Sequence, residues 1–172
     1  MNNMKHLSPT LFKKRSARQQ GAVVVEFALV LTLLITLMAG IFEFGRAFWY
    51  YDTLTKATRD GARLMAMVAN TDIEASVVLA QTRVVNAVSA AGVPDFDADN
   101  VAVTCLTATY GEIACSNVTP LVAPPWGVRV QIVGYGMTIG QFIPFLIGAN
   151  SNYAATLSPF TTMRYMPLGT LP

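Results

Sequence analysis

From Ala22 to Phe42 the chain is almost unbrokenly apolar, and Glu26 is the one charge within the run. These 21 residues rise ~31 Å as a helix, close to the ~30 Å hydrocarbon thickness of a bilayer. The run is therefore long enough to cross a membrane. Helical spacing continues beyond it. Arg46 to Ala69 contains no proline, and Phe48, Tyr51, Leu54/Thr55, Thr58, Ala62, Met65 and Ala69 recur at intervals of three and four, the mark of one buried helix face. Glu43/Arg46, Asp52/Lys56 and Asp60/Arg63 stand at helical ion-pair spacing, each worth a few tenths of a kcal/mol. The pattern predicts one helix over about residues 22–69, with its outer half packing an apolar stripe on the rest of the protein.

A second helix follows. Thr71 and Glu74 fit a capping box, Ile73, Val77, Ala80, Val84 and Val88 form the expected buried face, and Gly92 with Pro94 ends the helix. After Asp95 the period changes to two. Val101, Val103 and Cys105 alternate with Ala102, Thr104 and Leu106, and residues 113–118 can return after a turn at Tyr110. Residues 126–137 read as the best strand, with Val128, Val130 and Ile132 on one face and Arg129, Gln131 and Val133 on the other. Residues 139–149 are apolar but too short and broken for a second span. Residues 155–165 read as a last strand, with Pro159 placing it at an edge or bulge. The expected fold is α+β: a long N-terminal helix, membrane-spanning in its first half, a second helix packed on it, and a small antiparallel C-terminal sheet. The expected divisions are a basic leader at 1–21, a transmembrane helix at 22–45, extracytoplasmic helices at 46–92 and a β domain at 93–172.

Composition sharpens this. Hydrophobic residues make up 53% and charged residues 13% of the 172, well away from the soluble average. The net charge of +2 is misleading, because five of the twelve Lys/Arg and none of the ten Asp/Glu lie in the first 21 residues. Seven basic groups against ten acids then remain, a balance of −3, which gives no basic surface for nucleic acid. The leader residues Lys5, Lys13, Lys14, Arg15 and Arg18 place the N-terminus in the cytoplasm and the later residues outside, by the positive-inside rule. Trp49, Tyr50 and Tyr51 suit either an outer interfacial belt or packing against protein. A cleaved secretory signal would be shorter and followed by a small-residue site. The span is expected to be retained.

A carboxylate inside a span is costly. Near the cytoplasmic end Glu26 could snorkel, but the combination with Gly21 supports a sharper reading. The glycine is small enough for a protease to approach, and the basic tail holds it at the inner face. Cutting after it would leave the Ala22 amine as a positive charge at the helix start. Glu26 of a neighbouring subunit could neutralise that amine and fix an axial register between packed helices, since an unpaired charge in an apolar bundle is costly.

The segment Gly21-Ala22-Val23-Val24-Val25-Glu26-Phe27 resembles the class III signal of type IV pilins. The longer run to Leu31, with residues 40–46 (Gly-Ile-Phe-Glu-Phe-Gly-Arg) and 58–63 (Thr-Arg-Asp-Gly-Ala-Arg), resembles the TadE-like pseudopilins of tight-adherence (Flp) pilus systems. The resemblance covers about residues 17–67, and Thr161-Thr162-Met163-Arg164 is similar to the family's closing strand. Thr32 stands where many relatives carry a proline, so no proline kink is carried over. The resemblance implies cleavage after Gly21 by a prepilin peptidase and a role as a minor subunit in assembly of a fibre for surface attachment. The partners expected are the peptidase, the major pilin, a sister pseudopilin and the inner-membrane assembly platform. The expected location is the bacterial inner membrane as a single pass, and the pilus fibre. Three alternatives stand beside it: a tip adhesin of the same pilus, a type II secretion pseudopilin, and an uncleaved single-pass envelope protein.

Other residues carry narrower expectations. Asp60-Gly61-Ala62-Arg63, with Ala57, offers small residues for close helix approach, read as internal packing or as a specific subunit contact that Glu43 and Arg46 would share. Cys105 and Cys115 lie on the outer side, where oxidation is possible. A turn centred on Tyr110 would set them opposite across a hairpin, against the alternative of two buried thiols. Asp95, Asp97 and Asp99 resemble half of a calcium loop, but Asn100 and Leu106 stand where an EF-hand needs Gly and Glu. A looser calcium site or a solvated acidic turn remains. The single histidine, His6, lies in the leader, so no Ser-His or Cys-His arrangement is expected in the processed chain. No catalytic site, cofactor or nucleotide motif is expected.

Overall fold

A computed structural model describes residues 17–67, 73–118, 124–140 and 153–166. Its contacts divide the chain into Met1–Gly40 and Ile41–Pro172. Helix α1, Ala17–Met67, begins in the first unit. There nearly every side chain from Gly21 onward is exposed, Glu26 included. The Thr32 hydroxyl donates to the Ala28 carbonyl at 2.8 Å and Thr36 does the same to Thr32. Both hydroxyls thus find acceptors on the helix's own backbone, which suits an apolar surrounding. The helix continues through Thr32 without a break.

In the second unit α1 acquires a buried side. Leu54, Ala57, Thr58, Ala62, Met65 and Ala66 are buried, together with Gly61. Phe48 and Tyr51, expected on this stripe, are exposed instead. The buried row is continued toward the N-terminal end of the helix by Tyr50, packed on the core, and by Glu43. Every residue from 47 to 51 is apolar or aromatic, so periodicity had no polar side to contrast. Helix α2, Ile73–Ala90, buries Ile73, Ser76, Ala80, Val84 and Val88, with Val77 only half-buried. Gly92 takes φ +74°, and the Val93 N–H returns to the Val88 carbonyl at 3.4 Å, the left-handed glycine stop. Ala69 and the capping Thr71 lie outside the described residues.

Strands β1 (Val101–Leu106), β2 (Glu112–Ile113), β3 (Gly127–Ile132) and β6 (Phe160–Arg164) form an antiparallel sheet in the order β2-β1-β3-β6. Val128, Val130 and Ile132 of β3 are fully buried, as alternation predicts. They meet Leu54 and Ala62 of α1, Val84 and Val88 of α2, and, further along, Met65, Ala80, Cys105 and Tyr165. The fold is α+β, with α1 and α2 covering the sheet. Three expected strands are redrawn. Residues 126–137 are not one strand: Gly134 at φ +66° turns the chain, and β4 (Gly136–Ile139) pairs with β5 (Tyr153–Thr156) in a separate sheet. Residues 155–165 divide between β5 and β6. Pro159 precedes β6, and its carbonyl accepts the Ile132 N–H at 3.0 Å, which extends the edge pairing without needing a proline donor. The return strand at 113–118 shrinks to β2, followed by a 3-10 turn at Cys115–Asn117.

Candidate functional site

The proposed processing residues sit on the open helix. A Cβ added to Gly21 would meet nothing within 4 Å. Ala22 is exposed, and Glu26, one turn further on, is exposed and forms no ion pair among the described residues. In the chain by itself the carboxylate is turned outward from an apolar helix.

Glu43 is the opposite case. It is 5% exposed, a rare placement for a carboxylate. Arg46 donates from Nη2 to Glu43 Oε2 at 2.7 Å and to the Thr138 carbonyl on β4 at 2.6 Å. Its guanidinium also lies 5.8 Å from the centre of the Tyr50 ring. The i,i+3 spacing announced the ion pair. The third partner is a backbone carbonyl 92 positions away, which no side-chain pattern marks. The group therefore clamps the small β4–β5 sheet to α1. Beside it, Tyr135 donates to the Pro94 carbonyl at 3.1 Å and packs edge-on against Phe96. Burial raises the Tyr135 phenol above its ordinary value, with Tyr50 and Asp95 adding and Arg46 opposing.

In the 60–63 segment, Gly61 is buried where a Cβ would come 2.7 Å from Val84 Cγ2 and 3.6 Å from both the Ala80 carbonyl and Val130 Cγ1. The small residues are used within the chain, for close packing of α1 on α2 and β3. Asp60 and Arg63 are exposed and do not pair with each other, unlike Asp52 and Lys56, whose ion pair forms at 2.6 Å. With Leu64, Met67, Leu79 and Arg83 they line an open groove of about 470 Å³ between the two helices.

Cys105 and Cys115 form a disulfide with Cα atoms 5.0 Å apart. The register differs from the expected one. Cys105 stands opposite Ile113, so the hairpin is two residues tighter and Cys115 reaches back from the 3-10 turn beyond β2. Tyr110 at φ +63° forms the tip, where a Thr107 hydroxyl accepts the Gly111 N–H at 3.0 Å. In the acidic turn, Asp97 caps the 3-10 helix Ala98–Asn100, accepting the Asp99 N–H at 3.0 Å, while Asn100 Oδ1 accepts the Asp97 N–H at 3.1 Å. Asp95, Asp97 and Asp99 belong to no metal-ligand group among the described residues. Sequence reading missed Arg129. It pairs with Glu112, donates to Thr162 Oγ1 and lies over the Phe160 ring, binding three strands of the outer sheet face.

Residues 21–63 match the family described as TadE-like protein. The match ends within α1, at the Asp60–Arg63 turn, and covers the open helix, Glu26, the Glu43–Arg46 pair and Gly61. No curated protein and no solved structure matches the chain.

Proposed function

We propose, for a chain that is TadE-like over residues 21–63, a minor pilin or pseudopilin that acts in assembly, or as a minor subunit, of a Flp/Tad-type pilus. The observation that carries this reading is an apolar helix, long enough to cross a membrane, whose exposed surface bears one carboxylate at the fifth position after Gly21. Cleavage after Gly21 by a prepilin peptidase would create a cationic Ala22 amine. Glu26 of an adjoining subunit is its counter-charge, and pairing the two selects one stagger among packed helices. The rest of the chain is a folded head with its own disulfide-linked core, held outside the membrane and presented by the helix. The major pilin, a sister pseudopilin and the inner-membrane platform are the partners this role requires.

The experiment is the N-terminus and intact mass of membrane-extracted protein, made with and without the cognate prepilin peptidase. A peptidase-dependent start at Ala22 is expected. An intact Met1 in both samples, with the peptidase active on its major pilin, overturns the processing step and leaves a signal-anchored envelope protein. The tip-adhesin reading has one observation of its own: Tyr110 and Phe160 are exposed on the β region. It requires that deleting the gene spare piliation and abolish attachment.

A further inference from the structure

On one side of α1 between Ile41 and Tyr51 the large side chains are exposed. Ile41, Phe42, Phe44, Phe48, Trp49 and Tyr51 are all exposed, Phe44 at 75%. On the other side of the same turns lie the buried Glu43, Arg46 and Tyr50, turned toward β4. From Phe27 to Tyr51 these two are the only charged residues, and both point into protein. The first charges offered to solvent are Asp52 and Lys56, whose ion pair is largely exposed.

We infer that this aromatic side of α1 is a lipid-contacting surface, so that the membrane's outer boundary falls at Tyr51/Asp52 and the folded head is seated in the outer headgroup layer. The inference rests on the membrane reading of α1. Its support is continuity and length. The exposed apolar side chains continue without an exposed charge from the candidate span. Residues 27–46 rise ~30 Å, one hydrocarbon thickness. Trp49 and Tyr51 then fall ~4–8 Å further out, in the layer that Trp and Tyr favour. The same register brings Glu26 to the inner interface, where an unpaired carboxylate in the free membrane-bound subunit is least costly. A head held clear of the bilayer would leave Ile41, Phe44, Phe48, Trp49 and Tyr51 exposed to water, an arrangement soluble surfaces avoid. The Glu43–Arg46 clamp gains a purpose: it keeps the two ionised groups on the protein side of a helix whose other side faces lipid.

The test is depth-dependent quenching of Trp49 in vesicles of phosphatidylcholine, using the Trp126→Phe variant so that Trp49 is the only tryptophan. Flotation with the vesicles reports the membrane reading separately. Bromination of the lipid near the headgroup should quench a blue-shifted Trp49 emission strongly, and bromination near the chain end should do so weakly. A tryptophan moved to position 37 (Leu37→Trp, Trp49→Phe, Trp126→Phe) lies ~18 Å deeper along the helix, near the middle of the 27–46 span, and should reverse that order. A protein that does not float overturns the membrane reading. A floating protein with water-like, unquenched Trp49 overturns this inference alone. So does a shielded Trp49 that no brominated lipid quenches, which would mean that a second copy covers the surface. For the unsubstituted chain, photolabelling from a diazirine phosphatidylcholine should modify residues 41–51 and spare 56–63. The reverse pattern overturns the inference without any tryptophan variant.

Discussion

Glu26 and Glu43 are carboxylates of one helix, and their surroundings are opposed. Glu26 is exposed among apolar side chains and has no cation in the described chain. Glu43 is buried, held by Arg46, and linked through it to β4. A carboxylate satisfied internally belongs to the fold. One without an internal partner is available to another molecule. The contrast extends to the residues around them: the first region keeps its large side chains outside, whereas the second buries small ones, Ala57, Gly61 and Ala62, and so lets α2 and β3 come close.

Substitutions can break or sharpen this contrast. Glu43→Ala should have the largest effect on the fold. It strands a buried guanidinium, a change that destabilises by about 3–5 kcal/mol, and denaturant titration in detergent should show the loss. A stability equal to wild type would mean that the clamp contributes nothing. Removing the disulfide by Cys105→Ser with Cys115→Ser should lower stability by roughly 2–3 kcal/mol in the chain-entropy model, read against the wild type with and without reductant. Gly61→Ala and Gly45→Ala make the same change in the same helix with opposite expected signs. At Gly61 the new methyl group meets Val84, and overpacking of about 1–3 kcal/mol outweighs the gain in helix propensity. At Gly45 nothing lies within 4 Å, so the variant should gain roughly 0.5–1 kcal/mol. Two thermal melts decide between equal and opposite responses. Glu26→Ala should leave the stability of the head unchanged and the protein in the membrane, yet abolish incorporation into pili. Normal piliation in that variant would sink the register argument.

Legibility in the sequence followed contrast. The core side of α2 could be read because Thr82, Arg83 and Asn86 alternate with Ala80, Val84 and Val88, and β3 because Arg129 and Gln131 interrupt its valines. The side of α1 near residue 48 could not, since aromatic residues surround the helix there and the true inward side is marked by Glu43 and Arg46, residues a pattern assigns to water. Gly134 gave no clear warning that it separates two sheets, because Ile132 and Val133 before it and Tyr135 after it all suit a continuous strand. The disulfide was legible while its register was not: Tyr110 takes a left-handed conformation that sequence does not assign to a tyrosine. Of the candidate site, Gly21, Glu26 and the 43/46 spacing were visible. The Thr138 carbonyl was invisible, being backbone.

Strand β6 closes the stripe on α1. The Thr161 hydroxyl meets Thr58 across 103 positions of chain at 3.0 Å, Tyr165 is buried beside Met65, and the Met166 N–H donates to the Ala66 carbonyl at 2.9 Å. During synthesis, therefore, the stripe from Leu54 to Ala66 emerges long before the last of its cover. Such late, distant pairing is slow and leaves apolar surface open to aggregation and proteolysis in the meantime. Folding of the head cannot finish while the chain is still being delivered. A product stopped before Phe160 would lack these contacts and leave the Thr58–Ala66 part of the stripe covered by α2 and β3 but not by β6, and limited proteolysis should cut it faster than the full chain.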